Sequence, residues 1–199
     1  MKNNLLPLIA KLKKSDIKDL IDKRIRQFKS VRNKGKDALF TELCFCLMTA
    51  NFDAARAIKI QNDIGKGFLT LSEKDLAREL IRLGHRFPNA RAKYIAEARK
   101  HAKSLKLDRD WLVENIKGLG HKEASHFLRN VGCDDCAIID FHIIDILVKH
   151  KLIKKPKTLN KKRYLEIEKI LKKLADASGL TLAELDFYLW YMETGKILK

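Results

Sequence analysis

Apolar residues recur three and four positions apart along almost the whole chain, and no stretch of strand length alternates apolar with polar. That period demands helices that bury one face. Ile17, Leu20, Ile21, Ile25 and Phe28 share a face in residues 15–32, with Ser15 as the expected N-cap. Residues 38–50 are apolar nearly all round, which predicts a central buried helix despite Thr41 and Glu42. Further helices are expected at 53–65, 72–83, 89–105, 108–116, 121–130, 140–148, 160–177 and 181–194. Ser72 followed by Asp75 resembles a capping box, Gly84 and Pro88 mark a turn, and Gly179 and Gly195 stop the last two helices. The expectation is an all-α architecture of about ten helices.

Several classes drop out. The 199 residues fit one domain or two small ones sharing an interface. With only 9 glycines and 3 prolines, a turn-dense β-sandwich is disfavoured. No apolar run approaches the roughly 18–20 residues of a membrane span, so no membrane partner is expected. The first residues, MKNNLLPLIAKLKK, lack a secretory h-region and cleavage site. Four cysteines in a chain this long do not make a disulfide scaffold, so a reducing cytoplasm is the expected location.

The formal charge of +17 points to a polyanionic partner, nucleic acid before membrane. The charge is unevenly spread. Residues 1–37 carry 12 basic against 4 acidic residues, 82–106 carry 8 against 1, and 149–173 carry 11 against 2. Residues 107–148 reverse the sign, with 4 against 8. A lysine-rich solvated surface accounts for part of this excess. The remainder is available to phosphates, with strong salt dependence.

The acidic stretch contains the most specific pattern. Residues 108–132 read helix, Gly118-Leu119-Gly120-His121, helix. The two glycines permit a tight hairpin, Leu119 can pin it to the core, and backbone N–H groups at the second helix can cradle a phosphate. Lys122 follows two residues after the second glycine, and Asp140 comes 18 residues later, within Ile138-Ile139-Asp140-Phe141-His142. Taken singly, Lys122 reads as a solvated lysine and Asp140 as a helix N-cap. Together they resemble the helix-hairpin-helix/Gly-Pro-Asp superfamily of base-excision DNA glycosylases. The lysine is similar to that of the bifunctional branch, which also has AP lyase activity. The segment Phe45–Phe52, Arg86-Phe87 and the tail Leu185–Lys199 resemble the compact archaeal-type class of 8-oxoguanine DNA glycosylases, and an ending at Lys199 fits that class.

The resemblance implies excision of 8-oxoguanine from double-stranded DNA, followed by cleavage of the abasic site. Lys122 would be the nucleophile and Schiff-base lysine. A neutral amine is required for attack, and a helix N-terminus with partial burial disfavours the ammonium. Asp140 would stabilise positive charge developing on the sugar and orient Lys122. For the base pocket the resemblance implies Asp186, Trp190 and Lys199, with Lys199 or a terminal carboxylate reading the N7–H that distinguishes 8-oxoguanine from guanine. Phe87 is a further stacking candidate, with core packing as its ordinary alternative. Gly118, Leu119, Gly120 and His121 would grip the DNA backbone. His142 is expected to hold its loop by a buried hydrogen bond.

The resemblance also implies two helical subdomains, 32–135 carrying the hairpin and 1–31 plus 136–199 built from both termini, with Lys122 and Asp140 facing each other across the cleft. No cofactor is required, and a monomer is expected. The cysteine spacing of the iron–sulfur relatives, C-x6-C-x2-C-x5-C, is absent, and Cys44, Cys46, Cys133 and Cys136 read as buried thiols, so no metal site is expected. Two alternatives stay open: a glycosylase/lyase for oxidised pyrimidines, and a non-catalytic helix-hairpin-helix DNA-binding module.

Overall fold

A computed structural model describes residues 5–199. These residues form twelve α-helices and one short 3-10 turn, with no strand among them. The helices are α1 (Leu5–Leu12), α2 (Ile17–Arg32), α3 (Lys36–Thr49), α4 (Ala54–Ile64), α5 (Gly67–Thr70), α6 (Glu73–Arg82), α7 (Pro88–Ala98), α8 (Arg109–Asn115), α9 (His121–Asn130), α10 (Phe141–Lys149), α11 (Lys161–Ser178) and α12 (Leu182–Thr194).

The all-α expectation holds, with differences in detail. Two helices were not expected: α1, which carries Pro7 in its first turn, and the four-residue α5. Ser15 does not cap α2. Its hydroxyl instead donates back to the carbonyl of Leu12, closing α1, and Asp16 occupies the cap position. The helix expected over 89–105 ends at Ala98 and tightens into a 3-10 turn over Arg99–His101. There Arg99 donates through Nε to the carbonyl of Phe68, 2.7 Å away. Ser72 caps α6, accepting from the N–H of Asp75 at 3.1 Å. The full capping box lies instead at Thr181 and Glu184, at the start of α12.

Burial falls into two large apolar clusters and one small one. The first is centred on α3, whose Leu43 to Met48 are all fully buried. It draws in α4 to α9, including Leu119 of the hairpin. The second combines Leu5 and Ile9 of α1 with residues of α10, α11 and α12. A small third cluster joins Ile21 and Phe28 of α2 to Phe187 and Tyr188 of α12. Both ends of the described chain thus meet in space, since α1 packs on α11 and α12, and α12 packs on α2.

Cys44 and Cys46 are buried in α3, and Cys133 and Cys136 are partly buried. Burial pushes all four thiols up, that of Cys136 to about 12. Among the described residues no helix is long and apolar enough to cross a membrane.

Candidate active site

The hairpin is built by conformation and contact. Gly118 has φ +91°, and a Cβ there would stand 2.4 Å from Cδ2 of Tyr94, so only glycine fits. Leu119 is 5 % exposed and belongs to the first core, which pins the turn. Gly120 occupies the N-cap of α9 and has no side chain to cap it. The first helical bond runs from the N–H of Ala124 to the carbonyl of Gly120, leaving the N–H groups of His121, Lys122 and Glu123 without a helical partner. The imidazole of His121 turns inward, with ring centroids 5.6 Å from Tyr164. The side chains of His121 and Leu119 are thus both turned toward the protein.

Lys122 and Asp140 line one cavity of about 650 Å³, together with Asp186, Trp190 and Lys199. The volume suits a single base and its sugar. Its lining comes from the α3–α4 turn (Thr49 to Ala54), Arg86, α9, residues 138–142, α12 and the tail.

Lys122 lies in the first turn of α9, its ammonium 3.5 Å from Oε1 of Glu123. Asp140 is the N-cap of α10, and Oδ1 accepts from the N–H of Ile143 at 2.9 Å. The capping role is thus real. It occupies one oxygen, and among the described residues Oδ2 has no hydrogen bond or ion pair.

The other expected pocket residues divide. Trp190 meets His142 edge to face at 4.9 Å, and His142 in turn lies 3.8 Å from the ring of Phe141. Among the described residues His142 makes these ring contacts and no side-chain hydrogen bond, unlike the hydrogen bond expected of it. Phe141 is 66 % exposed at the rim. Asp186 reaches the cavity, but its carboxylate is bound to Nη1 of Arg129. Burial pushes Asp186 up to about 6, opposed by Arg129 and reinforced by the charge of Asp140.

Phe87 is not brought into the cavity. Its N–H donates to Nδ1 of His85 at 3.0 Å, and the guanidinium carbons of Arg86 and Arg91 lie 4.9 and 5.6 Å from the centre of its ring. Phe52 lines the cavity instead. Because Nδ1 of His85 accepts that bond, Nε2 carries the proton and donates to the carbonyl of Met48 at 3.0 Å.

Lys199 folds back onto α3. Its ammonium donates to Oε2 of Glu42 and to Oε1 of Gln61, both at 2.6 Å, and lies 4.5 Å from the centre of the Phe45 ring. Glu42 is 4 % exposed, and its other oxygen accepts from Asn130 at 2.7 Å.

Sequence reasoning missed this buried set of Glu42, Gln61 and Asn130, as well as Arg129 and His126. His126 stands one turn beyond Lys122 on α9 and lines the cavity. Burial, then the charges of Arg129, Lys122 and Lys199, push its imidazole well below the usual histidine range. The main chain of Lys199 approaches the ring, but neither nitrogen completes a hydrogen bond of normal geometry. Among the described residues no cluster of histidine, cysteine and carboxylate side chains could hold a metal ion.

A helical hairpin that carries a lysine, with that lysine and a helix-capping aspartate lining one base-sized cavity, fits a helix-hairpin-helix DNA glycosylase architecture. The family profile described as 8-oxoguanine DNA glycosylase matches residues 21–180, and the chain belongs to that family. It is 53 % identical to the 8-oxoguanine DNA glycosylase/AP lyase of Methanocaldococcus jannaschii over 205 residues, covering 98 % of this chain and 99 % of that protein. It is 47 % identical over 208 residues to the enzyme of the same name from Korarchaeum cryptofilum, covering 99 % of each chain. The crystal structure of the M. jannaschii glycosylase/lyase with a 15mer DNA containing 8-oxoguanine superposes with a TM-score of 0.95, at 51 % identity over 98 % of this chain and 99 % of that one.

Proposed function

We infer that this chain excises 8-oxoguanine from double-stranded DNA and cleaves the resulting abasic site by β-elimination. The observation that carries the reading is that Lys122 and Asp140, from two different helices, line one base-sized cavity. Membership of the family supports the substrate.

The chemistry follows from the placement. The amine of Lys122 attacks C1′ as the bond from C1′ to the base nitrogen breaks and the base departs with its electron pair. Asp140, with Oδ2 uncommitted, stabilises the positive charge that builds on the sugar. Ring opening yields an imine between Lys122 and C1′. The imine acidifies the C2′ proton, and its removal expels the 3′ phosphate oxygen. No step requires a cofactor.

The base would sit against Trp190, with Asp186 fixing the wall behind it. Because the Lys199 ammonium is already committed to Glu42 and Gln61, Lys199 offers the base its main-chain oxygen, an acceptor for N7–H. The N–H groups at the start of α9 and the glycine hairpin would hold a phosphate. The first core is read as the subdomain 32–135, and the second with the small third as the subdomain of 1–31 plus 136–199, of which residues 1–4 lie outside the described residues. Since one chain supplies both Lys122 and Asp140, a monomer suffices. A cytoplasmic location on DNA fits this reading.

The test is release of free base and strand cleavage on duplexes carrying 8-oxoguanine, guanine or an oxidised pyrimidine at one position. Release from the 8-oxoguanine duplex alone is expected. Release from the pyrimidine duplex alone would keep the chemistry and overturn the substrate.

A further inference from the structure

Lys122 and Asp140 stand on different elements, joined by a stretch without regular structure between α9 and α10. Asp140 can act on the sugar only if that stretch is held still. Ala137 and Ile139 within it are almost fully buried, so their polar backbone groups must find partners. They find them on two side chains of α11, one turn apart. The Tyr164 hydroxyl donates to the carbonyl of Ala137 at 2.6 Å and accepts from the N–H of Ile139 at 3.2 Å. Glu168 accepts from the N–H of Ala137 at 2.9 Å.

The same two side chains reach the hairpin. Glu168 binds the guanidinium of Arg109, at the start of α8, with Nη2 2.8 Å from Oε1 and Nη1 on Oε2. Ser125, on α9 three residues after Lys122, lies 3.4 Å from both the Tyr164 hydroxyl and Nη1 of Arg109. One cluster, buried at Tyr164 and Ser125 and partly buried at Arg109 and Glu168, therefore ties the backbone leading into Asp140 to α8 and to α9, which carries Lys122.

We propose that Tyr164 and Glu168 are positioning residues, a clamp that sets Asp140 against the sugar that Lys122 attacks. This rests on reading Lys122 and Asp140 as the reacting pair. A displacement of about 1 Å at a reacting centre costs up to about a hundredfold in rate. Breaking the clamp should slow the step that needs Asp140, loss of the base. It should spare imine formation on a ready-made abasic aldehyde, where no glycosidic bond has to break. A general loss of stability would depress both steps alike.

The experiment compares wild type, Tyr164→Phe, Glu168→Gln and Lys122→Gln, each checked for helical content by circular dichroism. Three quantities are measured: the single-turnover rate of 8-oxoguanine release, the rate of borohydride trapping on a preformed abasic duplex, and Kd for a duplex with a non-cleavable abasic analogue. Tyr164→Phe is expected to slow release by roughly tenfold or more, with trapping and Kd within about threefold of wild type. Glu168→Gln carries the same expectation, and serves alone if Tyr164→Phe does not fold. Release within twofold of wild type, or release, trapping and binding falling together, overturns the clamp. Trapping by Lys122→Gln at the wild-type rate would overturn the underlying pair, and with it the clamp.

Discussion

The ammonium of Lys199 lies 2.6 Å from Oε2 of Glu42, so the tail after α12 is fastened to the centre of α3. That tether holds the main chain of Lys199 at the cavity wall. Replacing Lys199 by Met removes the ammonium and leaves Glu42 buried with only Asn130 and Gln61. The expected loss of stability is about 1–3 kcal/mol, measured by urea denaturation. Release of 8-oxoguanine should fall about tenfold, the worth of one well-placed hydrogen bond. Cleavage of a preformed abasic site should change little. Equal loss of both activities would contradict a role for Lys199 in reading the base.

The two hairpin glycines should respond differently. Gly118→Ala forces a side chain into a left-handed conformation and against the ring of Tyr94. It should cost at least about 1–2 kcal/mol and weaken binding to undamaged duplex. At Gly120 the backbone is extended, and an added Cβ meets only Oε2 of Glu123, at 3.4 Å. Gly120→Ala should fold with nearly wild-type stability. Thermal melts and fluorescence anisotropy on the two variants check this contrast.

Asp186 makes stability depend on pH. Burial holds its carboxyl at about 6, above the ordinary 3.8, so the folded state takes up this proton before the unfolded chain does. Its contribution is complete below about pH 4 and is lost as pH rises through about 6. The Asn variant cannot titrate there. The Tm of wild type minus that of Asp186→Asn should therefore rise as pH is lowered from 7 to 4. A difference that falls on acidification would contradict the assignment.

What the sequence revealed follows from which interactions are local. Helical phase marks one face at a time, so α2, α6 and α9 were legible from spacing alone. The hairpin, Lys122 and Asp140 lie within a short window, and their spacing carries the resemblance. Glu42 did not stand out as a site residue, because a helix apolar all round has no phase to flag one acidic position, and its partner lies at the other end of the chain. Arg129 looks like any surface arginine until Asp186 and the rings of Phe28 and Phe187 close around it. Phe87 fits a stacking role by motif, but its orientation is set by His85 and two flanking arginines, which spacing does not encode. The short α5 lacks the length over which periodicity can be read.

On the proposed reading, Lys122 and Asp140 act together on the sugar. Asp140→Asn should keep the N-cap oxygen yet slow base release by about 10²–10³-fold, the usual loss when a charge-stabilising group is removed. Comparable release by this variant and wild type under single-turnover conditions would exclude that role for Asp140.

The most direct measurement is borohydride trapping on a duplex with a single 8-oxoguanine, followed by peptide mapping of the cross-link. A covalent complex is expected with wild type, attached at Lys122, and none with Lys122→Gln or with an undamaged duplex. A cross-link mapped to another lysine, or trapping that survives Lys122→Gln, would contradict the proposed role of Lys122.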